Sequence, residues 1–339
     1  MSFASKGMVG LAAAAVMACF ASGALAQNAT ERNIRLGHGI AAEHPLGQAS
    51  VKFAEIMDRL SGGKFKIKVF PATQLGSETQ MIAAVRGGVQ EITIVASAPV
   101  ATIIKEYMLF DLPFLFQNEK EVDAVLDGKL GQRLLDLAES KNMIGLCYWE
   151  NGFRQVTNSK RPVASMDDMS GLKLRVMQNP VYIDAFKALG TNAIPMPFTE
   201  LYSAMESKAI DAQENPVPII YASKFHEVQK YLSLTNHAYA PYVVLVSKGF
   251  WDKLDAKEKE QLKTGCYEGR TYQRNLNRKM TTELIDKLKS EGMTVSTIPP
   301  AEAAKMRDKL KPVIERYTQD IGPSVVEQAQ KEIAAVRGR

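Results

Sequence analysis

Cysteine and histidine are scarce in this sequence, with three Cys and four His among 339 residues. That scarcity excludes a small disulfide-stapled scaffold. The four His (His38, His44, His226, His237) form no HExxH or CxxC-type metal spacing. A G-x-S-x-G nucleophile elbow and a G-x-x-x-x-G-K-[ST] phosphate loop are also missing. No apolar run reaches the roughly 20 residues that a membrane-spanning helix needs. No stretch is of low complexity, and no period of about 20 to 50 residues repeats, so solenoids and propellers are excluded. Basic residues are interleaved with acids throughout and the formal charge is only +5, so no nucleic-acid partner is implied. Nothing in the chain calls for a metal or a cofactor.

What is present is the composition of an ordinary globular chain. Hydrophobic residues make up 46% and charged residues 23%, and the mean hydropathy is −0.14. Disordered and collagen-like classes are thereby excluded. At about 150 residues per domain the length suggests two domains, each with its own core.

The N-terminus reads as an export signal. Lys6 is the one charged residue before Glu31, and Met8 to Phe20 is an apolar run of 13 residues. Small residues then lead to Ala24-Leu25-Ala26, an A-x-A cleavage pattern. Cleavage after Ala26 leaves 339 − 26 = 313 residues and delivers the protein to the periplasm, an oxidising compartment. Cys19 departs with the signal, leaving Cys147 and Cys266. Those two read equally well as buried thiols or as one disulfide, because sequence does not give their separation.

Along the mature chain, strand and helix patterns alternate. Asn33 to Gly37 reads as a short strand. Phe53, Ile56, Met57 and Leu60 recur at helical spacing and share one face. In Lys64 to Phe70, Phe65, Ile67 and Val69 share one face of a strand and the lysines the other. Ser77-Glu78-Thr79-Gln80 is a capping box that opens a helix. Ile92 to Val95 is a continuous apolar run, as a buried parallel strand requires. A second series follows, with strands at Ile144–Trp149 and Leu172–Val176, a helix at Val181–Leu189, and a further helix capped by Thr199. Tyr242 to Ser247 is a late β-rich run, followed by charged amphipathic helices. The order predicts two α/β units with helices on both faces of their sheets and crossings between them. Ligands of such sheets bind beyond the carboxyl ends of the strands.

Polar residues collect at those ends: Ser97 after the third strand, Arg154 after Ile144–Trp149, and Arg175 between Leu174 and Val176. Strand alternation sends Arg175 opposite its apolar neighbours, either to solvent or into a cleft.

Read together, seven motifs resemble the substrate-binding proteins of tripartite ATP-independent periplasmic (TRAP) transporters over nearly the whole mature chain. They are Phe70-Pro-Ala-Thr-Gln-Leu-Gly76, Leu112-Pro-Phe-Leu-Phe116, Asn151-Gly-Phe-Arg-Gln-Val-Thr157, Gly171-Leu-Lys-Leu-Arg-Val176, Pro195-Met-Pro-Phe-Thr-Glu-Leu-Tyr202, Asp211-Ala-Gln-Glu-Asn-Pro216 and Thr235-Asn-His237. The resemblance implies an α/β fold of two lobes, two mixed sheets flanked by helices, closing on a ligand between them. It divides the chain into one lobe at 27–152 plus about 242–280 and another at 153–241 plus about 281–339. It implies a periplasmic receptor that captures a small carboxylate, a C4-dicarboxylate or a 2-oxo or 2-hydroxy acid, and hands it to the transporter's membrane subunits. By matching position, Arg175 grips the carboxylate, Arg154 and Asn215 assist, and Phe198 packs against the ligand. Ser97, Gln74 and His44 complete the candidate contacts, His44 being also a natural cap for the helix that follows it.

One departure bears on the ligand. Sialic-acid binders of this family carry a Glu where this chain has Ala96, so a polyol-amide tail loses that partner. Two other readings remain: an exported sensor for the same acid, and a periplasmic enzyme acting on carboxylates. The absent nucleophile, metal and cofactor patterns weigh against the enzyme.

Overall fold

The structure, a computed structural model, describes residues 31–338; the expected signal segment, 1–26, lies outside them. The first alternation becomes β1 (Arg32–His38), α1 (Pro45–Ser61), β2 (Phe65–Phe70), α2 (Glu78–Arg86) and β3 (Ile92–Ala96). Helix α1 starts where Pro45 fixes the first helical φ and His44 Nδ1 accepts the Leu46 amide at 3.0 Å. It stops at Gly62, whose φ of 61° is left-handed. Phe53, Ile56 and Met57 are buried along its inner stripe. Strand β2 buries Phe65 and exposes Lys66 and Lys68, which suits its place on the sheet's outer edge. The capping box of Ser77 and Gln80 forms as its spacing predicts and opens α2.

Helices α3 (Ser97–Ala101), α4 (Glu119–Leu126) and α5 (Lys129–Asp136), with a 3-10 turn at Lys105–Asp111, lead to β4 (Met143–Phe153). The chain then builds a second sheet from β5 (Gln155–Asn158), β6 (Lys173–Val176), β7 (Asn192–Pro195), β8 (Ala212–Asn215) and β9 (Tyr231–Leu234). Three helices are interleaved with those strands: α6 (Pro180–Ala188), α7 (Leu201–Glu206) and α8 (Val217–Ala222). Next comes β10 (Tyr239–Ser247), which returns to the first sheet and lies antiparallel between β3 and β4. After α9 (Lys248–Trp251), α10 (Ala256–Ser290) precedes β11 (Thr294–Thr297), α11 (Pro300–Ile321) and α12 (Pro323–Arg337). The strand orders are β2-β1-β3-β10-β4 and β11-β9-β5-β8-β6-β7, both mixed. Two mixed sheets flanked by helices is the class that the sequence predicts.

The chain passes between the sheets at Phe153–Gln155, between β9 and β10, and again along α10, which packs on α1 and β4 of one lobe and α8 of the other. The expected lobe boundaries need correction at two places. Strand β10 begins at Tyr239 rather than 242. The tail 281–339 is also divided: β11 pairs with β9 in the second sheet, but α12 returns to α4 and α5 beside the first. The cause is the apolar face of α12, where Val325, Val326, Ala329 and Ile333 are buried in the same cluster as Val122, Val125 and Leu130. Arg337 closes the contact on Glu121 at 2.8 Å.

Cys147 of β4 and Cys266 of α10 form a disulfide, with Cα atoms 6.2 Å apart across a sequence separation of 119. Gly265 and Gly269 make that approach possible. A Cβ at Gly265 would fall 2.3 Å from Met57 Sδ, and one at Gly269 would fall 2.8 Å from a Trp149 ring carbon. The Trp149 indole donates to the Cys266 carbonyl at 3.2 Å.

Burial also makes the fold acid-sensitive. Desolvation lowers His44 from the ordinary 6.5 to about 3, with the neighbouring His38 adding to it. Burial likewise lowers His38 to about 4. Both imidazoles are therefore neutral in the folded state and take up protons only on unfolding. Their contribution to stability is complete above pH 6.5 and is lost as pH falls from there toward their folded values. The melting temperature is expected to decline as pH drops below 6.5, and His44→Gln, which keeps a capping acceptor, should flatten the decline. An unchanged slope in that variant would contradict the assignment.

Candidate functional site

A cavity opens where the carboxyl ends of β1, β3, β6, β7 and β8 face one another between the lobes. It encloses about 600 Å³ of atom-free space including its mouth. That interior fits one small molecule. Parallel strands within each sheet, β1 with β3 and β6 with β7 and β8, aim their ends at it, as open α/β sheets do.

Arg175 enters from β6. Its neighbours Leu174 and Val176 are fully buried on the opposite face, and Arg175 itself is 2% exposed, so the cleft is its environment rather than bulk solvent. Nε and Nη2 donate to the Met196 carbonyl at 2.9 and 2.7 Å. Those bonds fix the guanidinium plane, and the side chain lines the cavity. Nη1 is buried and has no protein partner. Burial lowers the Arg175 pKa to about 10, and Arg154 adds to the fall against the opposing pull of Glu214 and Glu78. At neutral pH the side chain remains a cation without an ion-pair partner among the described residues.

Arg154 is differently placed. It is fully buried where β4 hands over to β5. Its Nε and Nη2 donate to the Glu214 carboxylate, and Nη2 also reaches the Glu214 carbonyl at 2.6 Å and Asn215 Oδ1 at 3.2 Å. Burial opposes the charge, but Glu214 outweighs it and raises the Arg154 pKa. The same carboxylate accepts His237 Nε2 at 3.1 Å. Burial lowers the His237 pKa, so it is a neutral donor there. Arg154 lines the cavity with its charge paired to Glu214, while its Nη1, like that of Arg175, has no hydrogen-bond partner among the described residues.

Asn215 lines the cavity at the end of β8 and donates to Gln213 at 2.6 Å. Phe198 lines it from the turn after β7 and packs on Phe225 with ring centroids 5.9 Å apart. Four of the sequence candidates, Arg175, Arg154, Asn215 and Phe198, are thus brought together. Three, His44, Gln74 and Ser97, are not among the lining residues. His44 is fully buried under the start of α1, where its ring caps the helix. Gln74 is exposed on the loop before α2. Ser97 is buried at the start of α3 and is not part of the wall, which Ala96 and Pro99 supply there.

The wall residues outside the candidate set include Glu78, Asn151 and Tyr242. Tyr242 is 1% exposed, its hydroxyl has no partner among the described residues, and in the sequence aromatic core is its safer reading. Glu78 is legible in the sequence only as part of a capping box. In the structure its Oε1 accepts the Ala96 amide at 2.8 Å. A carboxylate therefore does stand beside Ala96, supplied from α2 rather than from residue 96 itself. Burial raises the Glu78 pKa, while the Ala96 amide, Arg175 and Arg154 pull it back.

The lobes also meet beside the cavity. Asn179, the N-cap of α6, donates across the cleft to Asp111 at 2.8 Å and to the Ala98 carbonyl at 3.3 Å. Among the described residues, no group of three His, Cys, Asp or Glu side chains could hold a metal ion. No described helix is long and apolar enough to cross a membrane.

Comparison with known proteins agrees with this geometry. The family described as "Bacterial extracellular solute-binding protein, family 7" matches residues 36–320. A sugar acid binding protein from Advenella mimigardefordensis, solved in complex with galactonate, is 45% identical with a TM-score of 0.89, covering 90% of this chain and 99% of that one. A TRAP periplasmic solute binding protein from Polaromonas, solved with D-erythronate, is 33% identical with a TM-score of 0.86, covering 88% and 98%. The 2,3-diketo-L-gulonate-binding periplasmic protein YiaO of Escherichia coli is 38% identical over 281 residues, 83% of this chain and 84% of the relative.

Proposed function

The chain belongs to the bacterial extracellular solute-binding proteins of family 7, the periplasmic receptors of TRAP transporters, and from that premise we propose that it holds the carboxylate of its organic-acid solute on Arg175. The observation that carries this is a buried, cavity-lining cation that has no ion-pair partner and an unpartnered Nη1 among the described residues. A buried charge is costly until paired, and a planar guanidinium edge matches a carboxylate bidentately. Arg154 and Asn215 shape the same wall, Phe198 supplies an apolar face, and Tyr242 offers a hydroxyl. The relatives' solutes, galactonate, D-erythronate and 2,3-diketo-L-gulonate, favour a hydroxylated acid over a bare dicarboxylate. The bound acid is passed, chemically intact, to the membrane subunits of the transporter.

A thermal-shift screen of the mature protein against hydroxy, oxo, sugar and dicarboxylic acids, followed by calorimetry, tests the reading. At least one acid should raise the melting temperature, and mass spectrometry should recover it unaltered. Conversion of the acid into a product would move the chain into the enzyme class. Because the cavity lies between lobes, saturation should also reduce the radius of gyration in solution scattering. A radius that does not change at saturation would contradict closure.

A further inference from the structure

We propose that Asn179 latches the closed receptor: its side-chain amide bonds the opposite lobe beside the cavity and so governs solute release without touching the solute. The proposal rests on the acid-receptor reading above, because a latch needs a solute-driven closure to hold.

The Asn179 side chain does two separable jobs. It lies just beyond β6 and is 1% exposed. Its Oδ1 caps α6 by accepting the Val181 amide at 2.9 Å. A cap needs only an acceptor, so the Nδ2 hydrogens are spare. They cross to the other lobe, where Nδ2 donates to Asp111 Oδ2 at 2.8 Å and to the Ala98 carbonyl at 3.3 Å. Asn179 belongs to the lobe of the second sheet. Ala98 on α3 and Asp111 at the end of the Lys105–Asp111 turn both belong to segments that pack on β10 of the first.

Position ties this bond to the solute. Met177 and Gln178, between β6 and Asn179, line the cavity, as do Ala96 and Pro99 around Ala98. Asn179, Ala98 and Asp111 themselves do not line it. One segment thus carries the carboxylate anchor, Arg175, and a little further on the donor that engages the other lobe.

Asp111 makes the bond consequential. It is 1% exposed, and its Oδ1 has no hydrogen-bond partner among the described residues. The charged and titratable groups facing it are Arg154 from the β4–β5 junction, Glu214 from β8 and Tyr182 from α6. Burial holds the Asp111 carboxyl well above the usual carboxylate range, with Glu214 adding to the rise and Arg154 and the Asn179 amide opposing it. Burying this carboxyl opposes closure, and the Asn179 amide offsets that opposition. Without the amide the closed state keeps a buried carboxyl that has lost its donor. The open state, with the carboxyl in water, loses nothing. A contact made in one state alone is what shifts such an equilibrium.

Calorimetry, stopped-flow release and melting of the mature protein test this, with galactonate, gluconate, D-erythronate and succinate as probes. Asn179→Asp keeps the helix cap but sets a carboxyl against a carboxyl. It should weaken binding by about tenfold or more, mostly through faster release. The melting temperature of the solute-free protein should not change. Relative to wild type, affinity in that variant should recover as pH falls and one of the two carboxyls takes a proton. The reciprocal double variant Asn179→Asp/Asp111→Asn again faces an amide with a carboxyl, and should restore affinity and release rate. Asn179→Ser retains a capping oxygen but is too short to cross, and should release quickly with no such recovery at low pH. Native affinity in both Asn179→Asp and Asn179→Ser, or a loss that the double variant fails to repair, overturns the latch and leaves the receptor reading intact. So does a fall in the solute-free melting temperature with affinity unchanged, which marks a permanent structural contact. Failure of the wild type to bind any acid, the screened panel included, overturns both.

Discussion

Arg175→Ala is expected to weaken solute binding by at least about a hundredfold. Hydrogen bonds to charged groups contribute about 1.5–3 kcal/mol each, and the Arg175 guanidinium can make two to a carboxylate. At 1.4 kcal/mol per tenfold, roughly 3 kcal/mol already gives that factor. Truncation also leaves the solute's carboxylate desolvated without a partner. Arg175→Lys keeps the charge but not the fork, nor both bonds to the Met196 carbonyl, and should fall in between. The neighbouring arginine should behave differently. Arg154 neutralises Glu214 in a fully buried pair, so Arg154→Ala exposes the fold to an unpaired internal carboxylate. Breaking such a pair costs about 3–5 kcal/mol, and the loss should appear in the melting curve before it appears in affinity. Calorimetry and melting on both alanine variants separate the roles. Near-native affinity in a folded Arg175→Ala protein would remove the proposed carboxylate anchor.

Loss of the Cys147–Cys266 bridge is expected to destabilise the protein by about 5 kcal/mol. The chain-entropy account gives about 4.7 kcal/mol for a loop of some 100 residues, and here the separation is 119. For a chain of this size that corresponds to a melting temperature lower by roughly 10 °C. The double variant Cys147→Ala/Cys266→Ala should show the shift while retaining solute affinity, because neither residue lines the cavity. Thiol titration of the denatured mature protein gives an independent check. No free thiol is expected after signal removal, and two would show the bridge to be unformed.

The sequence made the alternating elements legible because their signals are local. The capping box at Ser77, the Lys-Phe alternation of β2 and the apolar run of β3 each depend on a few neighbouring residues. Arg175 was legible as a side chain opposite two buried neighbours, but its destination, solvent or cleft, was a tertiary matter until the family motifs were added. Glu78 escaped for the converse reason. Its local role in the first turn of α2 is a sufficient explanation of its presence, and nothing nearby reveals that Ala96 lies beside it. The Cys147–Cys266 bridge and the return of α12 to α4 likewise depend on contacts between residues more than a hundred apart. His44 went the other way, since its capping role was local and the cavity was never its surroundings.

The return of β10 to the first sheet has a consequence for how the chain acquires its structure. Strand β3 ends at Ala96, but its partner on that side begins only at Tyr239, after the whole of the second sheet except β11 has been made. The first lobe therefore has an open sheet edge until more than two thirds of the chain is available, and Cys147 waits for Cys266. Neither lobe can fold to completion as the chain emerges, because each borrows segments from beyond the other. Pairings at such separation carry a large loop-closure cost and fold slowly. A single cooperative refolding transition, with both sheets gaining protection from hydrogen exchange together, is the kinetic signature of this topology.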